Sequence, residues 1–143
     1  MNKVKFFVIF LVCILTSCNK EEDPVIIGDW NPVIFDNPEI EVSAGGGTFS
    51  SRVTNDNYSD FFIYQVYVTQ NDDKKIFFDA KKEAFSTKVT GDWFSINVAD
   101  NDRKKLELHI DPNTTGKERK LYIILSASIS YLTNGVVEVK QKG

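Results

Sequence analysis

Cysteine is almost missing from this chain, with Cys13 and Cys18 the two examples among 143 residues. Everything after residue 18 is therefore without a thiol, which excludes a disulfide framework, Cys-ligated zinc and a cysteine nucleophile there. Stability must come from an apolar core. Histidine is scarcer still, since His109 stands alone, and one imidazole is a poor basis for Ser/His/Asp chemistry or a zinc site. The apolar run at residues 6–15 covers about half of the roughly 20 residues that a membrane-spanning helix needs. No stretch places apolar residues at helical spacing over a useful length, so the helical fold classes fall away. Basic residues do not dominate either: 17 Lys and Arg stand against 20 Asp and Glu. A net-acidic chain lacks the electrostatic footprint of a nucleic-acid binder, and the Lys81, Lys82 pair is too short to supply one.

The first seventeen residues carry Lys3 and Lys5, then the apolar run, and no acidic side chain. A charged head before a greasy centre predicts a secretory signal that is removed. The run ends in Leu15, Thr16, Ser17 and Cys18, which resembles the lipobox of bacterial lipoproteins: an apolar residue, two small ones, then a cysteine that is alkylated by a diacylglyceryl group. The resemblance implies a discarded signal peptide at residues 1–17, lipidation at Cys18 and anchoring through acyl chains. Without Lys3 and Lys5 the remaining 126 residues hold 15 basic and 20 acidic side chains, a formal charge of −5. That length suits one domain. Asn19, Lys20, Glu21, Glu22, Asp23 and Pro24 have nothing to bury, so residues 18–38 are expected to form the lipidated tether. The acidic cluster resembles the surface-export signal of Bacteroidota lipoproteins, which implies an outer-membrane protein facing the exterior. A solvated linker facing the periplasm is the alternative.

From Glu39 onward, short β-rich runs alternate with turn clusters, which predicts an all-β domain over residues 39–143. Ile40 and Val42 alternate with Glu39, Glu41 and Ser43, and Gly45, Gly46 and Gly47 then permit a bend or bulge. Phe49, Ser51 and Val53 share one face. In residues 61–69, Phe62, Tyr64, Val66 and Val68 take one face and Phe61, Ile63 and Tyr67 the other, so this strand is covered on both sides or exposes an aromatic patch. Asn71, Asp72 and Asp73 read as a turn, with Ile76, Phe77 and Phe78 as the returning hairpin strand. Leu106, Leu108 and Ile110 alternate with Glu107, His109 and Asp111, which sends His109 toward solvent. Leu121, Ile123, Leu125, Ala127 and Ile129 make the longest apolar face, and Val137 and Val139 return on the last strand. Asn134 and Gly135 between them predict a tight hairpin turn. Several short strands without a closure repeat favour a two-sheet sandwich.

Gly45, Gly46 and Gly47 stand ahead of a strand ending at Asn55, followed by Gly91, Asp92, Trp93, Phe94, Ser95 and Ile96. Leu106, Leu108, Ile110, Asp111, Pro112, Asn113, Thr114, Thr115, Gly116 and Arg119 follow, and Val137, Val139 and Gln141 close the set. Together these residues resemble the BACON domain, an Ig-like β-sandwich of surface and secreted proteins in Bacteroidota. The resemblance covers residues 39–143 and is most specific over residues 111–119. Asp29, Trp30, Asn31 and Pro32 are similar to the segment before this domain in small Bacteroides lipoproteins. It implies an Ig-like antiparallel β-sandwich that binds carbohydrate or host glycoprotein without catalysis or cofactor. The chain departs from the family in having Phe61 or Phe62 where a tryptophan is usual. Residues 67–90 read as an inserted hairpin.

The residues offer little catalytic chemistry. Glu21 with Glu22, or Asp100 with Asp102, are paired carboxylates without a burial mechanism to separate their pKa values. Asp100, Asn101 and Asp102 lack the glycine and distant glutamate of a calcium loop, so a turn is the better assignment and no metal site is expected. Glycan binding has a physical form in flat aromatic rings that stack on sugars beside amides and carboxylates that hold hydroxyls. The candidate stacking residues are Trp93, Tyr67, Tyr58 and Phe61, and the competing assignment for each is core filling. Trp30 is expected to plug the tether onto the domain. A second class is an assembly module that pairs with other surface lipoproteins or adhesin chains through a free strand edge at residues 135–141.

Overall fold

The computed structural model describes residues 31–70, 73–127 and 133–143. Cys18, Trp30, the signal, the acidic cluster, the Asn71 and Asp72 turn and Ile129 lie outside them. Nine strands occur among the described residues: β1 (Glu39–Val42), β2 (Gly47–Arg52), β3 (Phe62–Gln70), β4 (Asp73–Asp79), β5 (Lys88–Thr90), β6 (Phe94–Val98), β7 (Lys105–Ile110), β8 (Arg119–Ser126) and β9 (Asn134–Gln141). They form a five-stranded sheet in the order β1-β9-β8-β3-β4 and a four-stranded sheet in the order β2-β7-β6-β5. The apolar faces of both sheets merge into one buried cluster, which makes the fold an all-β sandwich.

Alternation built most of this core. Leu106, Leu108 and Ile110 of β7 and Leu121, Ile123 and Leu125 of β8 are buried, as their spacing predicts, and Phe94, Ile96 and Val98 of β6 join them. His109 is exposed. Pairing is antiparallel with one exception, because β1 runs parallel to β9 with Ile40 opposite Val139. The peptide hydrogen of Glu138 is accepted by Pro38 at 2.8 Å and that of Lys142 by Val42 at 3.0 Å. Folded structure begins before Glu39: Val33 and Phe35 are buried and Phe35 bridges to Val53. Residues 33–35 are accordingly part of the fold, ahead of the domain start expected at residue 39.

Strict alternation fails in β3. Ile63 pairs with Leu125 and Gln65 with Ile124, so Tyr64 is an extra residue, a β-bulge that resets the faces. Ile63 and Val66 therefore both point inward and are fully buried, while Gln65 and Tyr67 point out. Residues 67–90 are built into both sheets. Residues 67–70 belong to β3, an inner strand of the larger sheet, β4 forms its edge, and β5 pairs with β6 as the edge of the other sheet.

Asn134 and Gly135 do not turn. They sit inside β9 opposite Ser126 and Leu125, and Gly135 is needed for close approach, since a Cβ there would lie 2.2 Å from the Val33 carbonyl oxygen. Nor is β9 a free edge, because β8 flanks it on one side and β1 on the other. Gly46 is the glycine whose conformation matters: its φ is +72°, and a Cβ would meet the Ile110 carbonyl oxygen at 2.2 Å. The turn between β1 and β2 thus closes directly onto the end of β7.

Candidate functional site

The β5–β6 and β7–β8 connections meet the facing ends of β3 and β4 at one end of the sandwich. Gly91, Asp92 and Trp93 join β5 to β6, and the Gly91 peptide hydrogen is accepted by Phe94 at 2.9 Å. Phe94 turns into the core, which leaves Trp93 half-buried at the rim with its ring 5.3 Å from Phe94 in an edge-on contact. The Asp111 peptide hydrogen is accepted by the Trp93 carbonyl at 2.9 Å, tying this turn to the end of β7.

Arg119, the first residue of β8, lies over Trp93 with its guanidinium carbon 4.0 Å from the ring centroid, a cation–π arrangement. Its Nε donates to Gln141 Oε1 at 2.8 Å and its Nη2 to the Asp111 carbonyl at 3.0 Å. Gln141 is fully buried and donates to that same carbonyl at 2.9 Å. The arginine is thus held from behind by neutral groups. Burial lowers its pKa from the ordinary arginine value, with the Asp111 charge opposing the shift.

The third wall is the β3–β4 hairpin. Phe77 stands edge-on to Phe94 at 5.1 Å, and Lys75 lies 4.4 Å above the Phe77 ring while its Nζ donates to Asp92 at 2.7 Å. Together with Val68, Gln70, Asp73 and Thr115 these residues enclose a groove of about 370 Å³, within the range of small-ligand sites. A larger depression of about 670 Å³ lies on the outer face of the four-stranded sheet, lined by Thr48, Ser50, Ser95, Asn97, Glu107 and His109 among others. Outward polar residues of flat strands generate such a surface by themselves. Aromatic, cationic and amide groups converge in the smaller groove, which makes it the better candidate.

The four aromatic candidates do not come together. Trp93 lines the groove. Tyr67 is on the outer face of the five-stranded sheet, stacked on Tyr122 with centroids 4.8 Å apart and with Lys74 Nζ 3.7 Å from its centroid. Both of its faces are taken. Phe61 is 1% exposed, so it has no face to offer and is a core residue. Tyr58 is half-buried against the core, edge-on to Phe61 at 6.2 Å, and its hydroxyl donates to the Asn31 carbonyl at 2.9 Å, which fastens the N-terminal segment. Residues 100–102 do form a turn, in which Lys104 donates its peptide hydrogen to Asp102 and Arg52 pairs with the same carboxylate. Arg119, Lys75 and Phe77 complete the groove; Arg119 lies in the stretch 111–119 that carries the sequence resemblance and Phe77 in the expected returning strand, but nothing in the sequence alone marks any of the three as a ligand contact.

The fold and groove define a two-sheet β-sandwich with a polar, aromatic-lined end. No protein-family model matches the chain, and no curated protein matches it. Among solved structures, a protein from Bacteroides thetaiotaomicron determined by NMR superposes with a TM-score of 0.58 over 85% of this chain and 93% of that one, at 20% identity. That likeness is one of fold. Murine CRIg superposes with a TM-score of 0.37 and 6% identity over 77% of this chain and 94% of that one.

Proposed function

We propose that the chain is a lipid-anchored, Ig-like β-sandwich of the BACON type that binds carbohydrate or host glycoprotein at the cell exterior without catalysis. The observation that carries this reading is the position of the Trp93 groove. Residues 31–35 pack beside Asn55, Val53 and Gly135, at the end where β3 begins. The groove is at the end where β3 finishes and β4 starts. A nine-residue strand spans about 30 Å, so residues 31–35 and the groove lie at opposite ends of the sandwich, the arrangement an anchor at Cys18 would need to hold the groove away from a membrane.

Binding there differs from simple ring stacking. Arg119 covers one face of Trp93, so a sugar would meet the guanidinium edge, the remaining indole surface, Phe77 and the amide of Gln70. A glycan-array screen of the purified protein, alongside folded Trp93→Ala and Tyr67→Ala variants, tests the reading. Binding lost in the first and kept in the second is expected; no binding to any glycan, or binding indifferent to Trp93→Ala, would defeat it. In intact cells, external protease should digest the domain, and survival until lysis would place it on the periplasmic side.

A second reading, an assembly module, is favoured by the outer face of the five-stranded sheet. Ile76, Tyr67 and Tyr122 stand in one cross-strand row, with Ile124 and Val136 in the next, and Ile76 and Val136 are about half exposed at 46% and 47%. Exposed apolar patches of this kind mark contact surfaces. A photo-crosslinker at Val136 that captures no neighbouring surface protein in cells would dismiss it.

A further inference from the structure

We infer that the Trp93 groove recognises an anionic sugar, a carboxylate- or sulfate-bearing unit held by Arg119 with Lys75 beside it. The inference rests on the glycan-binding reading and names its ligand class. Arg119 has five N–H donors. Its Nε is used on Gln141 and its Nη2 on the Asp111 and Pro112 carbonyls, whereas Nη1 donates to no described residue. Every acceptor it has is a neutral amide or carbonyl oxygen, and no carboxylate of the described residues lies within ion-pair distance. Asp111, the nearest acid to influence it, is placed against His109 Nε2 at 3.3 Å. A half-buried guanidinium held by neutral groups, with Nη1 open, has no carboxylate of the described residues at ion-pair distance, and one oxygen of a carboxylate or sulfate can accept from Nη1 in a charge-assisted bond.

Lys75 extends the cationic side of the groove. Its partner Asp92 is largely exposed, as is Lys75 itself, so the pair is weakly held and Lys75 can turn to a ligand. Gln70 and Thr115 on the same walls supply amide and hydroxyl groups for uncharged sugar hydroxyls, and Phe77 and Trp93 supply apolar surface for ring C–H groups. The chain as a whole carries more acid than base, so its general field repels polyanions. Asp73 and Asp92 also line the groove, so selection for negative charge is local to Arg119 Nη1 and admits one anionic unit.

The test uses matched pairs on the full chain: a sulfated oligosaccharide against its desulfated form, and a uronic-acid oligosaccharide against its methyl ester. The charged member of at least one pair should bind about tenfold more tightly, as expected for a charge-assisted pair. In Arg119→Gln the charged and neutral members should bind equally to the same variant, whatever its overall affinity, while Arg119→Lys restores part of the preference. Because Arg119 also holds Gln141, its variants could fail to fold; Lys75→Gln, on an exposed side chain, then carries the test through a reduced preference. Equal binding of charged and neutral members overturns the anion inference and leaves glycan binding standing. A preference that survives both Arg119→Gln and Lys75→Gln also overturns it. Binding to neither member of either pair, nor to any other glycan, removes the glycan reading and the inference with it.

Discussion

The Tyr67 ring lies between Tyr122, stacked at an interplanar angle of 15°, and the Lys74 ammonium. Burial raises its pKa above the ordinary tyrosine value, and the Tyr122 and Glu138 charges add to the shift. Glu138 also accepts from the Tyr122 hydroxyl at 3.3 Å, so a phenolate at Tyr67 would form beside an acceptor already negative. A raised pKa on an acidic group means the neutral form is favoured in the folded state. The associated stability is fully present below the unfolded tyrosine value near 10 and is lost as pH rises through the higher folded value. A tyrosinate absorbance titration should show a late step that disappears in Tyr67→Phe and moves to lower pH in Glu138→Gln. A late step that persists in Tyr67→Phe would assign it elsewhere. The same clamp explains why Tyr67→Ala serves as the control in glycan binding: a ring stacked on one side and capped on the other has no face for a sugar.

Among the elements, β9 shows how local rules and tertiary packing compete. An Asn-Gly step is a strong turn signal when nothing else constrains it, yet here the glycine lets the Val33 backbone cross β9. Gly135→Ala should cost roughly 1–3 kcal/mol in chemical denaturation, typical of overpacking against rigid backbone, and should speed proteolysis ahead of Glu39. An unchanged midpoint would show that the segment at residues 31–35 is not seated there. The strand β7 was legible because one residue in two is apolar, and a half-buried strand needs nothing more; β8 was legible by its continuous apolar run, with Leu121, Ile123 and Leu125 on the buried face. In β3 the apolar residues occupy both faces, so its pattern cannot reveal the extra residue at Tyr64 that turns Tyr67 outward. Trp93 was legible as a rim residue because Phe94 begins a clean alternation through Ile96 and Val98. Arg119 was not, because its value to the groove depends on Gln141 and Asp111, distant in sequence or held through backbone.

On the scale of the whole molecule, the sandwich puts the N-terminal segment at residues 31–35 and the Trp93 groove at opposite ends, the arrangement that the proposed anchoring and recognition roles require. Val33, Phe35 and the Tyr58 hydroxyl bond to Asn31 secure the N-terminal segment at one end, and the β5–β6 and β7–β8 connections with the facing ends of β3 and β4 assemble the Trp93 groove at the other. The edge strand β4 carries Lys74 and Lys75, charges that discourage further strands from adding to it. Mapping a bound glycan by NMR tests the central claim most directly. With a ligand identified on the array, the account predicts shifts at the Trp93 indole N–H, the Arg119 Nε–H and the Gln70, Lys75 and Thr115 amides. Shifts confined to Thr48, Ser95, Asn97 and His109 would contradict it, moving the site to the open polar face of the four-stranded sheet.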